Sequence, residues 1–213
     1  MTKHNEPLKP LLRGHFHQEA FYFSLGACAM LLVKSSTMRE LVALIIYCIS
    51  LTSLFGISAL YHRINWQPNT RMWMRRIDHA AIYILIAGTS TPIFLLGLQG
   101  DAGLKVLTFI WGAAILGIIK SAIWVKAPKW LAAALYIGAG WMAVPYLDDL
   151  RAMMGDLNVL LILLGGVIYS LGAVIYAMKR PNPAPHVFGY HEIFHLLVIV
   201  AATLHFIVIT RLV

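Results

Sequence analysis

Seven apolar stretches, each long enough to cross a bilayer, leave this chain few ways to fold. They run at roughly 20–38, 40–62, 79–98, 103–124, 129–147, 157–178 and 190–212. About 20 apolar residues are what an α-helix needs to span hydrocarbon. Polar turns separate the stretches, among them Asn65–Asn69, Gly100-Asp101, Ala127-Pro128, Asp148-Asp149 and Pro181–Pro185. The division between the first two rests on the polarity of Lys34–Glu40. Only 12% of the residues are charged, about half the share of a soluble domain. The fold expected is therefore an all-α, seven-helix transmembrane bundle. Residues 1–19 would form an amino-terminal segment and 20–213 the membrane domain.

The basic residues orient that bundle. Lys34, Arg39, Lys105, Arg151 and Arg211 fall on one side, and the other twelve of the seventeen on the opposite side. The positive-inside rule then places the amino terminus in the cytoplasm and the carboxyl terminus outside a cell (inner) membrane. The acidic run Asp148, Asp149, Asp156 falls outside as well. A net charge of +8 does not indicate nucleic acid, because the cations sit in short loops and form no stripe with interleaved aromatics. Anionic lipid head groups suit them better. Lys3, Lys9 and Arg13 precede no apolar core with a small-residue cleavage site, so the first span is expected to target the chain and stay. Cys28 and Cys48 fall within spans and read as buried thiols.

Polar residues inside these spans are few and costly, which makes them functional candidates. His191 and His195 are four apart, on one helix face at the start of the last span. Ser58 and His62 share a face at the end of the second span, and Asp78 opens the third. The orientation above brings all five to one membrane depth. Three neutral imidazoles, His62, His191 and His195, suit a zinc ion and leave a fourth position free. Water in that position would ionise near pH 7. Asp78 would hold or deprotonate it, and Ser58 would orient it or donate to a developing oxyanion.

Ser58-Ala-Leu-Tyr61-His62, Arg76-Ile-Asp78-His79 and His191-Glu-Ile-Phe-His195 resemble the three motifs of the progestin and adipoQ receptor family, whose bacterial branch is the hemolysin III group. The resemblance runs from about residue 10 to the end. It implies a seven-helix bundle with a cytoplasmic amino terminus, zinc on His62, His191 and His195, and Ser58 and Asp78 completing the site through water. One stretch departs from the pattern. Bacterial members often open with an acidic, Asn-containing segment ending Thr-His, whereas this chain reads Arg13-Gly-His15-Phe-His17-Gln-Glu19. His17 or Glu19 would fill the polar role, and no function is carried onto either.

Other polar residues have plainer readings. His79 points about 100° from Asp78 and His205 lies about 15 Å beyond His195 along a helix, so neither is expected to share an ion. His205 reads as a bundle-core hydrogen bond. His-Glu-Ile-Phe-His also matches a zincin pattern, but the Asn182-Pro183 pair lacks a following Asp-Gly, so Glu192 reads as a snorkelling or helix-start carboxylate. Gly138, Gly140, Gly165 and Gly166 read as helix-packing positions, the tryptophans as interfacial anchors, and Pro92 as a kink. Three functions follow. One is a zinc-dependent hydrolase of a lipid amide, ceramide-like or similar, which the resemblance implies. Another is a non-enzymatic sensor of the membrane with structural zinc. The third, a pore or cytolysin, finds little support in spans four to six, which are nearly free of polar residues. Membrane lipids are the expected partners.

Overall fold

The computed structural model describes residues 9–125 and 127–213. Lys3 and Lys126, both used in the charge count, lie outside them. The described chain is helical, with one isolated antiparallel bridge between Ala184 and Phe188. The helices are α1 (His15–Val33), α2 (Met38–Arg63), α3 (Pro68–Gly97), α4 (Ala102–Ile123), α5 (Lys129–Gly140), α6 (Leu147–Met154), α7 (Asp156–Met178) and α8 (Tyr190–Thr210).

Local chemistry sets their ends. Thr37 and Glu40 form a reciprocal capping box at the start of α2. Pro68 opens α3, where its missing N–H costs nothing. At α8, Glu192 accepts from the Gly189 backbone N–H at 2.8 Å. Gly14, before α1, has φ +81°, and a Cβ there would lie 2.7 Å from the His62 Cβ. That position therefore needs glycine both for its backbone and for the closeness of α1 to α2.

Among the described residues, six segments are long and apolar enough to cross a membrane: α2, α3, α4, Lys129–Met154, α7 and α8. The chain is thus a multi-pass helical membrane protein. α1 starts at His15, earlier than expected, and its polar first turns (His15, His17, Gln18, Glu19) keep it outside that set. The fifth segment is not the single helix expected over 129–147. It narrows to a 3₁₀ turn at Trp141–Tyr146 and resumes as α6. Gly138, Gly140 and Pro145 account for this, since glycine and proline are the weakest helix formers and Pro145 has no N–H for an α-helical bond. Pro92, by contrast, is buried within an uninterrupted α3.

Each helix packs on the next in sequence, α5 and α6 through the 3₁₀ turn between them, and α1 packs on α8 to close the ring. Lipid is as apolar as leucine, so close fit must hold the helices together. A Cβ on Gly88 of α3 would collide with Ser50 of α2, and one on Gly117 of α4 with the Tyr83 ring of α3. Core hydroxyls bond back to their own helices, as Ser50 does to the Ile46 carbonyl and Thr91 to the Ala87 carbonyl. At the end of the ring where α1 and α8 finish, cations satisfy carbonyls left open by helix termini. Lys34 donates to the Thr210 carbonyl at 2.6 Å, and Arg39 donates twice to the Leu95 carbonyl. The opposite end carries the polar constellation.

Candidate metal centre

α2 ends where α1, α3 and α8 begin, so residues far apart in sequence meet at one depth. His62, His191 and His195 are buried there, and each offers a ring nitrogen within 4.8 Å of the other two. The Nε2 atoms of His62 and His191 face each other at 3.1 Å. The His195 ring centroid is 4.5 Å from that of His191 and 5.1 Å from that of His62. The three imidazoles could hold one metal ion. Asp78, also buried, places Oδ2 3.9 Å from His62 Nε2. Ser58, a turn from His62, is buried beside them.

His17, which the sequence offered beside Glu19 for a polar role, joins this group. Its ring stacks on His195, with centroids 3.8 Å apart and planes 11° from parallel, and its Nδ1 is 2.8 Å from the Ser58 hydroxyl. His15 instead pairs with Arg63 on the outside of α1, and Glu19 is exposed. Helix phase could have made the distinction: two residues apart, His15 and His17 lie on opposite faces of α1.

Glu192 is fully buried but belongs to a different task. Arg13 donates to its Oε1 at 2.5 Å, and its Oε2 caps α8. The helix-start reading therefore holds and the snorkelling one fails. This ion pair fastens residues 9–14 across the site. Leu11 and Leu12 donate to the His186 and Val187 carbonyls, and Lys9 donates to the Arg63 carbonyl.

The histidines, Ser58 and Asp78 line a cavity of about 1180 Å³, larger than ordinary small-molecule pockets. Its mouth is cationic. Lys9, outside the helices, has its ammonium held below the usual lysine range, first by burial and then by Arg63, Arg13 and Arg71 beside it. Its inner end reaches Trp141, Tyr169 and His205. His205 donates from Nε2 to the Ile162 carbonyl at 3.1 Å, which is the core hydrogen bond expected of it. His79 is half-buried on the cavity wall, apart from the three-histidine cluster. Trp141 is no interfacial anchor, because its indole N–H donates to the Ser170 hydroxyl at 2.9 Å. Gly165 packs on His205 as expected, whereas Gly138 and Gly140 face open space. Cys28 and Cys48 are free, buried thiols.

Comparison with known proteins finds matches over most of the chain. A family model described as "Haemolysin-III related" matches residues 3–206. "Hemolysin-3" of Bacillus cereus is 32% identical over 186 residues, covering 86% of this chain and 82% of the relative. The "Hemolysin-3 homolog" of Bacillus subtilis (strain 168) is 32% identical over 160 residues, covering 75% and 72%. "Progestin and adipoQ receptor-like protein 1" of Caenorhabditis elegans is 27% identical over 169 residues, 71% of this chain and 39% of that protein.

Proposed function

The chain belongs to the haemolysin-III-related family, and from that premise we propose that it is a cell-membrane hydrolase of lipid amides that works with zinc. On this reading α1 is a seventh span and the amino terminus is cytoplasmic. The histidine site then lies near the cytoplasmic face, within reach of lipids of that leaflet. The observation that carries the proposal is three buried histidines on the wall of a large cavity, with Asp78 and Ser58 on the same wall.

The donor set fits zinc. Two nitrogens about 2.0–2.1 Å from one ion at a tetrahedral angle are roughly 3.3 Å apart, close to the 3.1 Å between His62 and His191. His195 Nδ1 is buried without a hydrogen-bond partner, an orphaned polar atom that an ion or ligand would answer. His62, His191 and His195 would hold the ion, which when bound supplies Lewis acidity toward an amide carbonyl and toward water.

The remaining chemistry belongs to the chain. Asp78 takes a proton from the attacking water and returns it to the amide nitrogen as the C–N bond breaks, giving a carboxylic acid and an amine. Ser58, held by His17, steadies the oxygen that gains charge. The apolar walls exclude bulk water and align the acyl chain.

Elemental analysis of purified protein should find about one zinc per chain, and a screen of acyl amides should release fatty acid. Zinc without release from any acyl amide would favour the second reading, a membrane sensor with structural zinc. The fastening of α1, α2 and α8 at this one site supports that reading. Both Bacillus relatives are named for hemolysis, and ion leakage through liposomes holding the purified protein would favour a pore instead.

A further inference from the structure

Four cations at the mouth of the cavity make no ion pair with a carboxylate among the described residues. Lys9, Arg71, Arg75 and Lys129 all line it, and none lies within 4.0 Å of an acidic group among the described residues. Arg13, also on the wall, is committed to Glu192. Asp78 is the one carboxylate among the described lining residues, and it sits deeper, beside His62. Collecting like charges in a partly buried mouth costs stability unless a ligand answers them.

These groups are positioned. Arg71 and Arg75 are four apart on α3 and share a face. The Lys129 ammonium lies 4.1 Å from the centroid of the Tyr176 ring and donates to the Tyr190 hydroxyl at 3.2 Å. An ammonium has three donors, so Lys129 and Lys9, each with one protein hydrogen bond, keep N–H groups for a ligand. Two guanidinium forks and two ammoniums suit a tetrahedral, doubly charged phosphate better than a carboxylate.

Beyond the mouth the same cavity becomes apolar along Leu54, Ile86, Phe94, Ile162 and Val198. From Arg75 to Phe94 it follows α3 for about 28 Å. One leaflet's acyl chain occupies about 15 Å, so the cavity has length for a head group, an amide and a single chain. Arg75 stands one turn before Asp78, about 4.5 Å along the helix.

We infer that the mouth recognises phosphate, so that the cavity's ligand is a single-chain acyl amide whose amine portion is a short amino-alcohol phosphate. The amide lies at Asp78, the phosphate between Arg71, Arg75, Lys9 and Lys129, and the chain runs toward Phe94. This substrate class rests on the amide-hydrolase reading, but the binding preference can be measured without turnover.

The test uses the full chain in zwitterionic nanodiscs, with intrinsic tryptophan fluorescence, to which Trp66 and Trp141 of the cavity wall contribute, as the binding signal. The probes are an N-acyl amino-alcohol phosphate, its dephosphorylated counterpart and inorganic phosphate. The phosphorylated lipid should bind about tenfold tighter than the neutral one, the scale of one charge-assisted hydrogen bond. That ratio should shrink as salt is raised and fall toward one in R71Q/R75Q. If the double variant fails to fold, the salt dependence of the wild-type ratio and the K129M variant decide in its place. Equal binding of the two lipids would overturn the inference. Competition by inorganic phosphate as strong as that of the phosphorylated lipid would also overturn it, by assigning the mouth to free phosphate. Hydrolysis of neutral amides with no phosphate preference removes this inference and leaves the hydrolase. A phosphate preference with no hydrolysis does the reverse.

Discussion

The imidazole of His17 lies flat on that of His195, 3.8 Å between centroids, while its Nδ1 reaches the Ser58 hydroxyl at 2.8 Å. One side chain of α1 thus fixes both a candidate metal ligand on α8 and a candidate oxyanion donor on α2. Groups in such supporting positions typically govern metal affinity by about 10–100-fold. H17F, which keeps the stack and removes the hydrogen bond, should weaken zinc binding less than H17A. Competitive titration with a zinc chelator checks the order, and equal affinity in both variants and wild type would deny His17 this role.

Loss of the metal should loosen the bundle where α2 and α8 meet. With zinc at 100 times its Kd, binding adds roughly 2.7 kcal/mol, or about 5–10 °C in Tm at this chain length. Chelator treatment should lower the Tm of wild type by that amount and leave H191A/H195A unmoved. A double variant that still holds zinc would remove these histidines from the site.

Asp78 and the metal should be separable. D78N keeps the shape of the side chain and the three imidazoles but cannot accept a proton. Zinc content should stay near one per chain while turnover falls about 10²–10⁴-fold, the range for a lost general base. Full turnover in D78N would end its proposed part in proton transfer.

Arg13 and Glu192 should behave as a pair. Removing one partner strands a buried charge, at about 3–5 kcal/mol, whereas replacing both is far milder. R13M and E192M should therefore each destabilise the protein, and R13M/E192M should recover most of the loss. Thermal unfolding of the four proteins closes the cycle. Were Glu192 a zincin-type base, E192Q would abolish hydrolysis with its metal and stability intact.

Much of the site was legible because polar residues inside apolar stretches are rare. His191 and His195 announce a shared helix face, and the direction of each span sets Ser58, His62 and Asp78 level with them. His17 was legible only as one of two candidates beside Glu19, since the stretch from Arg13 to Glu19 reads as a polar approach to a span until α1 is seen to start at His15 and to turn one face onto α2 and α8. Trp141 and Gly140 were misread for a related reason. Both were placed on an unbroken fifth helix, whereas the chain loosens there and presents them to the cavity. Pairwise spacing along one helix carries no information about a break in that helix or about which neighbour faces a break.

The closure of the ring by α1 against α8 has a consequence for biogenesis. The first and the last of the described helices to leave the ribosome supply His17 and His191 with His195, while His62 comes from the second. Until α8 has entered the bilayer, α1 holds its buried histidine with no partner on one side, and the candidate metal site has one histidine of its three. A chain stalled or cleaved before residue 191 would insert most of its spans without assembling the histidine cluster.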